Sequence, residues 1–224
     1  MRPDQRRQVR PDRRGSQGVL TQAYESMAEA VHADEAFFST CGSSLSVKSA
    51  MISVAGPGEK LLVSRNAHKS VIAGVVIAGI QSVWVHPHFD DDLALSHPPE
   101  PEDVRRAIQQ HPDAKGMLLI TPTDWGTCAD VAGVAEVCHE HGLALIVDEV
   151  WGVHLPFHPD LPVCGMDAGA DLVVTSVHKM GGAIEHSSTF HLKGDWVDPA
   201  VLQAREDLLG TTSSSSLVYA TLDG

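Results

Sequence analysis

Residues 171–182 read "DLVVTSVHKMGG", and this stretch carries the first indication of the fold. Its apolar, β-rich first half predicts a strand, and His178 and Lys179 follow where that strand ends. Burying an ammonium group is costly, so a lysine is rarely placed at the edge of a core without a partner or a task. The stretch therefore predicts a strand that brings a functional lysine to the edge of a core.

Similar apolar runs alternate with helical patterns along the rest of the chain. We predict strands at 35–40, 59–65, 81–87, 114–121, 143–150 and 171–177. We predict helices at 21–33, 41–55 (after a small-residue loop), 71–80 (buried), 99–111, 131–142 and 199–210. The polar stretches 86–102 and 151–169 are predicted loops, too polar for core elements. This alternation predicts an α/β fold, a three-layer sandwich with a mainly parallel sheet covered on both faces.

Composition and charge limit the classes of protein to consider. The chain has 224 residues and a net charge of −13, although residues 1–14 hold six arginines against two aspartates. We predict a disordered basic leader at 1–17 and one folded domain at 18–224, with RNA or membrane-surface contact by the leader as the alternative. The acidic remainder argues against a nucleic-acid-binding protein.

The sequence also gives expectations about membranes and the cellular compartment. No apolar run reaches 18 residues and no apolar segment follows the N-terminal arginines, so we expect neither a membrane span nor a secretory signal. The four cysteines lack the spacing of a CxxC motif, which predicts reduced thiols and a cytoplasmic protein.

Polar side chains follow the predicted strands at the points where they end. These residues are Ser43 and Ser44, His68, Asp124, Asp148, and Ser176 with His178 and Lys179. Because ligands bind at the carboxyl ends of parallel strands, we expect these groups to meet at one edge of the sheet. Serines at the start of a helix suit a phosphate, a desolvated lysine can form a Schiff base, and an acid can hold a protonated pyridine nitrogen. Together they predict pyridoxal 5′-phosphate (PLP) as the cofactor.

From about residue 18 to 224 the chain resembles the large, PLP-binding domain of the ornithine/lysine/arginine decarboxylases, which are aminotransferase-like, fold-type I enzymes. The resemblance lies in "FFSTCGSSLSVKSAM" (37–51), "RNAHKSVIAG" (65–74), "TPTDWGTCADV" (121–131), "VDEVWGVHLPFH" (147–158), "DAGADLVVTSVHKMGG" (167–182) and "KGDWVDP…LLGTTSSS" (193–215). It implies PLP-dependent decarboxylation of ornithine, lysine or arginine, a small-molecule amino-acid substrate.

The resemblance also implies a role for each matching residue. Lys179 would form the Schiff base, Asp148 would pair with the pyridine nitrogen, and His178 would lie beside the phosphate and the substrate. The cofactor would further contact His68 and Val150 on its two ring faces and Ser43, Ser44 and Ser176 at its phosphate. The segment 211–215, "TTSSS", resembles one that reaches a neighbouring subunit's cofactor, which implies a homodimer or a higher oligomer.

Several alternatives remain for individual residues. Lys179 could be a surface lysine, Asp148 or His68 a helix N-cap, and Ser43 and Ser44 turn serines. The histidine-rich stretches 86–92 and 138–142 could bind a metal, but neither has tight zinc spacing, and we predict no metal site.

The sequence departs from the family pattern in charge and in length. Asp124 stands where relatives tend to carry an aromatic residue, and Glu185 and His186 stand where relatives often show Thr-Gln. Family members continue into a smaller C-terminal domain, so the chain resembles a truncated large domain. We expect this chain alone to be poorly soluble or oligomeric and to have little or no decarboxylase activity, with the apolar segment 217–222 left unpaired. The alternatives to the decarboxylase are another fold-type I enzyme, such as an aminotransferase or lyase, and a non-catalytic remnant.

Overall fold

A seven-stranded sheet forms the centre of the protein in a computed structural model that describes residues 18–223. The leader predicted at 1–17 lies outside the described residues. The strands of this sheet are β1 (Glu35–Ser39), β2 (Lys60–Ser64), β3 (Gln81–Val85), β6 (Gly116–Ile120), β7 (Ala144–Asp148), β8 (Leu172–Thr175) and β9 (Ser188–Leu192), and their spatial order is β1-β9-β8-β7-β6-β2-β3. All six predicted strands are therefore present.

One strand, β9, runs against the direction of the others. It pairs antiparallel with both β1 and β8, whereas the pairs from β8 to β3 are parallel. Sequence analysis missed β9 because several of its buried residues are polar, so it lacks a continuous apolar run. The hydroxyl of Thr189 lies 2.6 Å from that of Thr175 and 2.8 Å from Nε2 of the buried His191, which satisfies these groups inside the sheet.

Helices cover both faces of the sheet, as the three-layer prediction requires. They are α1 (Val19–Ala30), α2 (Ser43–Val54), α3 (Lys69–Ala78), α4 (Pro101–Gln110), α5 (Val131–Glu140), α6 (Val177–Met180), α7 (Pro199–Leu209) and α8 (Ser216–Asp223). Side chains alternate between the two faces along a strand. In β6, Met117 and Leu119 pack with α4 and α5, while Leu118 packs with α2, α3 and α7. This alternation gives the sheet two buried faces and leaves its strand ends for a site.

The two predicted loops contain more structure than their polarity suggests. Stretch 86–102 holds an antiparallel hairpin of β4 (His88–Asp90) and β5 (Leu95–His97). Stretch 151–169 contains a short 3₁₀ helix, Leu155–Phe157, and buries Cys164 and Met166 in the core, so excluding it from the core was wrong. The apolar residues of this stretch are buried at isolated positions, so they produce no periodic pattern that sequence analysis could detect.

Helix α3 is less buried than its apolar sequence predicted. Val71 and Gly74 face the core, but Ile72, Val76 and Ile77 are exposed. The prediction of a buried helix was wrong because an apolar sequence around the whole helix does not show which side the sheet covers.

The apolar segment 217–222 is paired, which corrects the expectation that it would be left uncovered. It lies in α8, where Val218 and Leu222 are buried against Ala23 of α1 and Phe38 of β1. Leu217, on the opposite side of α8, is 73% exposed. Val218 and Leu222 therefore hold α8 against the rest of the domain.

The docking of α8 predicts different effects for two leucines of the same helix. Leu222→Ala should lower the free energy of unfolding by about 2 kcal/mol, since it leaves a cavity in a packed cluster. Leu217→Ala makes the same chemical change at an exposed position and should cost less than about 0.5 kcal/mol. Urea denaturation of both variants measures the difference, and equal losses would contradict the docked position of α8.

Candidate active site

The carboxyl ends of β1, β2, β6, β7 and β8 meet at one edge of the sheet and surround a cavity of about 840 Å³. That volume is within the range of small-molecule sites. Seven of the residues predicted for the site line the cavity: Ser43, Ser44, His68, Asp148, Val150, His178 and Lys179. The eighth, Ser176, is fully buried behind the wall, with its Oγ 3.4 Å from that of Ser43. The topology thus brings the predicted residues together.

The turn between β1 and α2 places two serines at the start of a helix. Gly42 has φ 76° and ψ 157°, a conformation that side-chain-bearing residues rarely adopt. Ser43 and Ser44 are the first residues of α2, where backbone N–H groups have no carbonyl partner within the helix. With the helix dipole, these groups and hydroxyls form a site suited to a phosphate.

Asp148 ends β7 and is almost fully buried at the cavity wall. Burial raises its pKa to about 7, while the charge of Lys179 and a hydrogen bond from the Val150 N–H act in the opposite direction. Its Oδ1 has no hydrogen-bond partner among residues 18–223. The described chain has no α-helix that begins directly after Asp148, so the N-cap alternative does not apply. A buried carboxylate oxygen left open beside a cavity is suited to accept a proton from a ligand.

Lys179 lies in α6, a single turn that follows the end of β8. Its Nζ lies 4.0 Å from the centroid of the Trp151 ring. Burial lowers the pKa of Lys179, and the charges of Asp148 and Asp124 partly offset this. The side chain is exposed as a whole, but its ammonium contacts an aromatic face, an interaction worth about 0.5–1 kcal/mol at exposed sites. This contact distinguishes Lys179 from an ordinary surface lysine.

Trp151 is a cavity-wall residue that sequence analysis did not select. It follows Val150 directly, within the stretch assigned as a loop, and its Nε1–H donates a hydrogen bond to Oδ1 of Asp124 at 2.6 Å. Its position three residues after Asp148 was the available signal, since the residues just beyond a strand end reach the same edge. Glu185 and His186 also line the cavity, which places all three charge departures at the site.

His68 acts as the N-cap of α3 while its ring lines the cavity. Its Nδ1 accepts a hydrogen bond from the Ser70 backbone N–H at 3.2 Å, so the ring proton of the neutral form is on Nε2. Burial and the neighbouring charges of Lys179 and Lys69 lower the pKa of His68. The N-cap alternative is therefore confirmed, and the neutral ring still faces the cavity, where it can stack on a flat ligand.

His178 is held between a serine and a backbone carbonyl. Its Nδ1–H donates to the Ser187 carbonyl oxygen at 3.0 Å, and the Ser176 hydroxyl lies 3.3 Å from the same nitrogen. The ring thereby links the cavity wall to the buried Ser176. This arrangement fixes the orientation of His178 before any ligand is bound.

Glu149, the residue after Asp148, is buried on the other side of the strand end. Its Oε1 accepts a hydrogen bond from the Gly165 backbone N–H at 3.0 Å. Burial raises the pKa of Glu149 to about 8, although this hydrogen bond opposes the change. Two neighbouring acids therefore differ in their surroundings: Asp148 lines the cavity, and Glu149 is satisfied by the backbone.

Comparison with known proteins assigns the chain to a family. Residues 12–224 match the family model described as Orn/Lys/Arg decarboxylase, major domain. The chain belongs to the Orn/Lys/Arg decarboxylase family. It is 40% identical over 212 residues to the arginine decarboxylase of Bacillus subtilis, covering 95% of this chain and 43% of that protein. It is 43% identical over 206 residues to the arginine decarboxylase of Halalkalibacterium halodurans, with coverage of 92% and 42%.

Solved structures of this decarboxylase family share the fold. Lysine decarboxylase A from Pseudomonas aeruginosa superposes with a TM-score of 0.77 at 23% identity, over 91% of this chain and 30% of that one. The constitutive lysine decarboxylase of Escherichia coli gives a TM-score of 0.76 at 22% identity, with the same coverage. The α/β fold with its mostly parallel sheet is therefore confirmed. The chain spans about two-fifths of the length of the arginine decarboxylases that it matches.

The Orn/Lys/Arg decarboxylase family is PLP-dependent, and the residues of this cavity fit that cofactor. The unpartnered Oδ1 of Asp148 suits a protonated pyridine nitrogen. The start of α2, with Ser43 and the buried Ser176, suits the phosphate. Lys179 supplies an amine with a lowered pKa at the same wall. Each polar part of the cofactor thus has a chemically matching group.

Two of the histidines considered as metal ligands, His139 and His141, have other partners. His139 Nε2 lies 3.0 Å from Asp171 while its ring stacks on Trp196, and His141 Nδ1 lies 2.9 Å from the Val137 carbonyl oxygen. In residues 18–223, we find no group of three or more His, Cys, Asp or Glu arranged to hold a metal ion.

Within the same range, no helix combines the length and apolarity needed to cross a bilayer.

Proposed function

We propose that residues 18–224 form a PLP-binding large domain that decarboxylates a basic amino acid. One observation carries the proposal: Lys179 and the buried Asp148, whose Oδ1 has no hydrogen-bond partner among residues 18–223, line the same cavity. Arginine is the first substrate to test, because two relatives at 40% and 43% identity are named arginine decarboxylase. Asp124 and Glu185 add negative charge to the wall, which favours a substrate with a cationic side chain.

Each of the eight predicted site residues would have a role in holding the cofactor. Lys179 would bind its aldehyde carbon, and Asp148 would keep a proton on the pyridine nitrogen. The phosphate would lie at Ser43, Ser44 and Ser176, and the ring between His68 and Val150. His178, oriented by the Ser187 carbonyl, would lie beside the phosphate and the substrate.

The bound cofactor supplies an electron-withdrawing ring that weakens the bonds at the substrate's α-carbon. The carboxylate of Asp148 would hold the positive charge of the pyridinium nitrogen, and its burial excludes water from that contact. His68, neutral because its pKa is lowered, would place a flat ring against the cofactor without adding charge.

A different reaction of the same cofactor is the second candidate. The chain is 26% identical over 170 residues to the O-phospho-L-seryl-tRNA:Cys-tRNA synthase of Methanothermobacter thermautotrophicus, which is not named a decarboxylase. The cavity residues would hold the cofactor equally well for an aminotransferase or a lyase. The reaction product separates these candidates.

We also propose that the active form is a homodimer or a higher oligomer. The segment 211–215 lies at the surface between α7 and α8, and four of its five residues are exposed. An exposed run of hydroxyl side chains could reach a phosphate in a neighbouring subunit. Sedimentation measurements with and without PLP test this, and a monomer under both conditions would contradict it.

The proposed function is tested with the purified chain, PLP and carboxyl-labelled arginine, lysine or ornithine. We expect a yellow complex, with arginine giving the fastest release of labelled carbon dioxide, at a low rate for this chain alone. Keto-acid formation without carbon dioxide would favour an aminotransferase. A yellow complex that turns over none of the three amino acids would favour the non-catalytic alternative, and the absence of PLP binding would refute the proposal.

A further inference from the structure

We propose that Trp151 and Asp124 form a seat for the free ammonium of Lys179. Trp151 would receive the ammonium on its ring face, and Asp124 would hold the ring in place. The inference rests on the proposed role of Lys179 as the cofactor-binding lysine. It adds two positioning residues to the site, neither of which needs to contact the cofactor.

The position of the lysine Nζ supports the first part of this proposal. It lies 4.0 Å from the centroid of the Trp151 ring, well within the range in which a cation is attracted to an aromatic face. Trp151 is half-buried in the cavity wall, so its ring presents a fixed apolar surface to the ammonium. Indole is the best of the aromatic side chains for this contact.

Asp124 supports the seat from the edge of the indole. It accepts the Nε1–H of Trp151 at 2.6 Å, a short hydrogen bond with a carboxylate as its acceptor. This bond restricts rotation of the ring and draws electron density toward its face. Burial lowers the pKa of Lys179, and the charge of Asp148 and then that of Asp124 oppose this, so Asp124 acts on the ammonium by its charge as well.

The seat matters when Lys179 is not attached to the cofactor. In a lysine-linked PLP enzyme, the substrate amine takes the place of the lysine amine, which must then occupy another position in the cavity. Trp151 and Asp124 offer that position and favour a proton on Nζ, and a protonated amine is not a nucleophile. The seat would keep Lys179 near the cofactor without letting it compete with the bound substrate.

Competitive labelling of lysines in the cofactor-free chain tests the seat. The chain has six lysines, and trace acetylation followed by mass spectrometry reports the reactivity of each one as a function of pH. For Trp151→Leu, we expect the reactivity of Lys179 at pH 8, relative to its own high-pH plateau, to rise about two- to fivefold. Normalising to the plateau removes any effect of easier access. The other five lysines should keep their profiles.

Two further variants separate the seat from a general effect on the cavity. Trp125→Leu removes a neighbouring indole that is 76% exposed and should leave the Lys179 profile unchanged. Asp124→Asn keeps an acceptor for Nε1–H but loses the charge, so it should raise the relative reactivity of Lys179 by less than Trp151→Leu does. When Trp151 is already leucine, Asp124→Asn should increase the relative reactivity of Lys179 by less than it does in the wild-type chain. The part of its effect that depends on holding the Trp151 ring is then lost.

An unchanged Lys179 profile in Trp151→Leu would overturn the seat, as would fully additive effects of the two substitutions. Borohydride reduction of the wild-type chain with PLP distinguishes this failure from failure of the proposed function. Label on Lys179 with an unchanged profile would reject the seat alone. Label elsewhere would reject the role of Lys179 on which the seat rests.

Discussion

Lys179→Arg is expected to abolish covalent retention of PLP after borohydride reduction. Arginine keeps the positive charge and much of the length of the side chain, but its guanidinium stays protonated and cannot form the imine that borohydride reduces. In the wild-type chain, burial lowers the pKa of Lys179, which increases the fraction of reactive neutral amine. Peptide mapping should find the pyridoxyl group on Lys179 in the wild type and nowhere in the variant.

Lys69→Arg is the matched control for this experiment. Lys69 also lines the cavity, next to His68 at the start of α3, so it experiences a similar concentration of bound cofactor. Its substitution should leave the label on Lys179. Retained label in Lys179→Arg, or label on Lys69 in the wild type, would show that the cofactor-binding lysine has been wrongly assigned.

Asp148→Asn is expected to lower PLP affinity and turnover and to raise the stability of the cofactor-free chain. The amide is isosteric but cannot supply the negative charge that a protonated pyridine nitrogen requires. PLP affinity should therefore fall about ten- to hundredfold, the cost of losing a hydrogen bond to a charged group. Any turnover should fall by orders of magnitude, because the ring nitrogen loses the group that keeps it protonated. Equilibrium titration with PLP measures the loss of affinity.

The second effect of Asp148→Asn is a gain in stability of the cofactor-free chain at high pH. Burial raises the folded-state pKa of Asp148 from 3.8 to about 7, so the folded chain holds this proton more tightly than the unfolded chain does. Its contribution to stability is therefore greatest below pH 3.8 and falls as the pH rises toward 7. Asparagine does not ionise, so the variant should gain up to a few kcal/mol at pH 8, and little at pH 4.

Glu149→Gln separates the two effects. Burial raises the pKa of Glu149 to about 8, so this variant should also gain stability at high pH. Its carboxylate, however, accepts the Gly165 N–H instead of facing the cavity, and PLP affinity should be unchanged. Equal losses of PLP affinity in the two variants would contradict the assignment of Asp148 to the pyridine nitrogen.

Strands buried on both faces could be predicted from the sequence because burial requires continuous apolar runs, as in β6, β7 and β8. The structure confirms the six runs and the convergence of polar residues at their ends. Strand β9 was missed because Thr189 and His191 are satisfied by partners on the same and the neighbouring strand, which a single segment does not reveal. The pairing of α8 with α1 was missed for the same reason, since α1 and α8 are distant in sequence.

The sequence by itself determined which side chains stand at the strand ends, because strand periodicity and strand ends are local properties of the chain. Only the tertiary structure decided what each of them faces. Asp148 and Glu149 are neighbours in sequence, but one lines the cavity and the other meets the Gly165 backbone. Likewise, Asp124, Trp151 and Lys179 follow three different strands, and they meet because the parallel sheet aligns those strand ends.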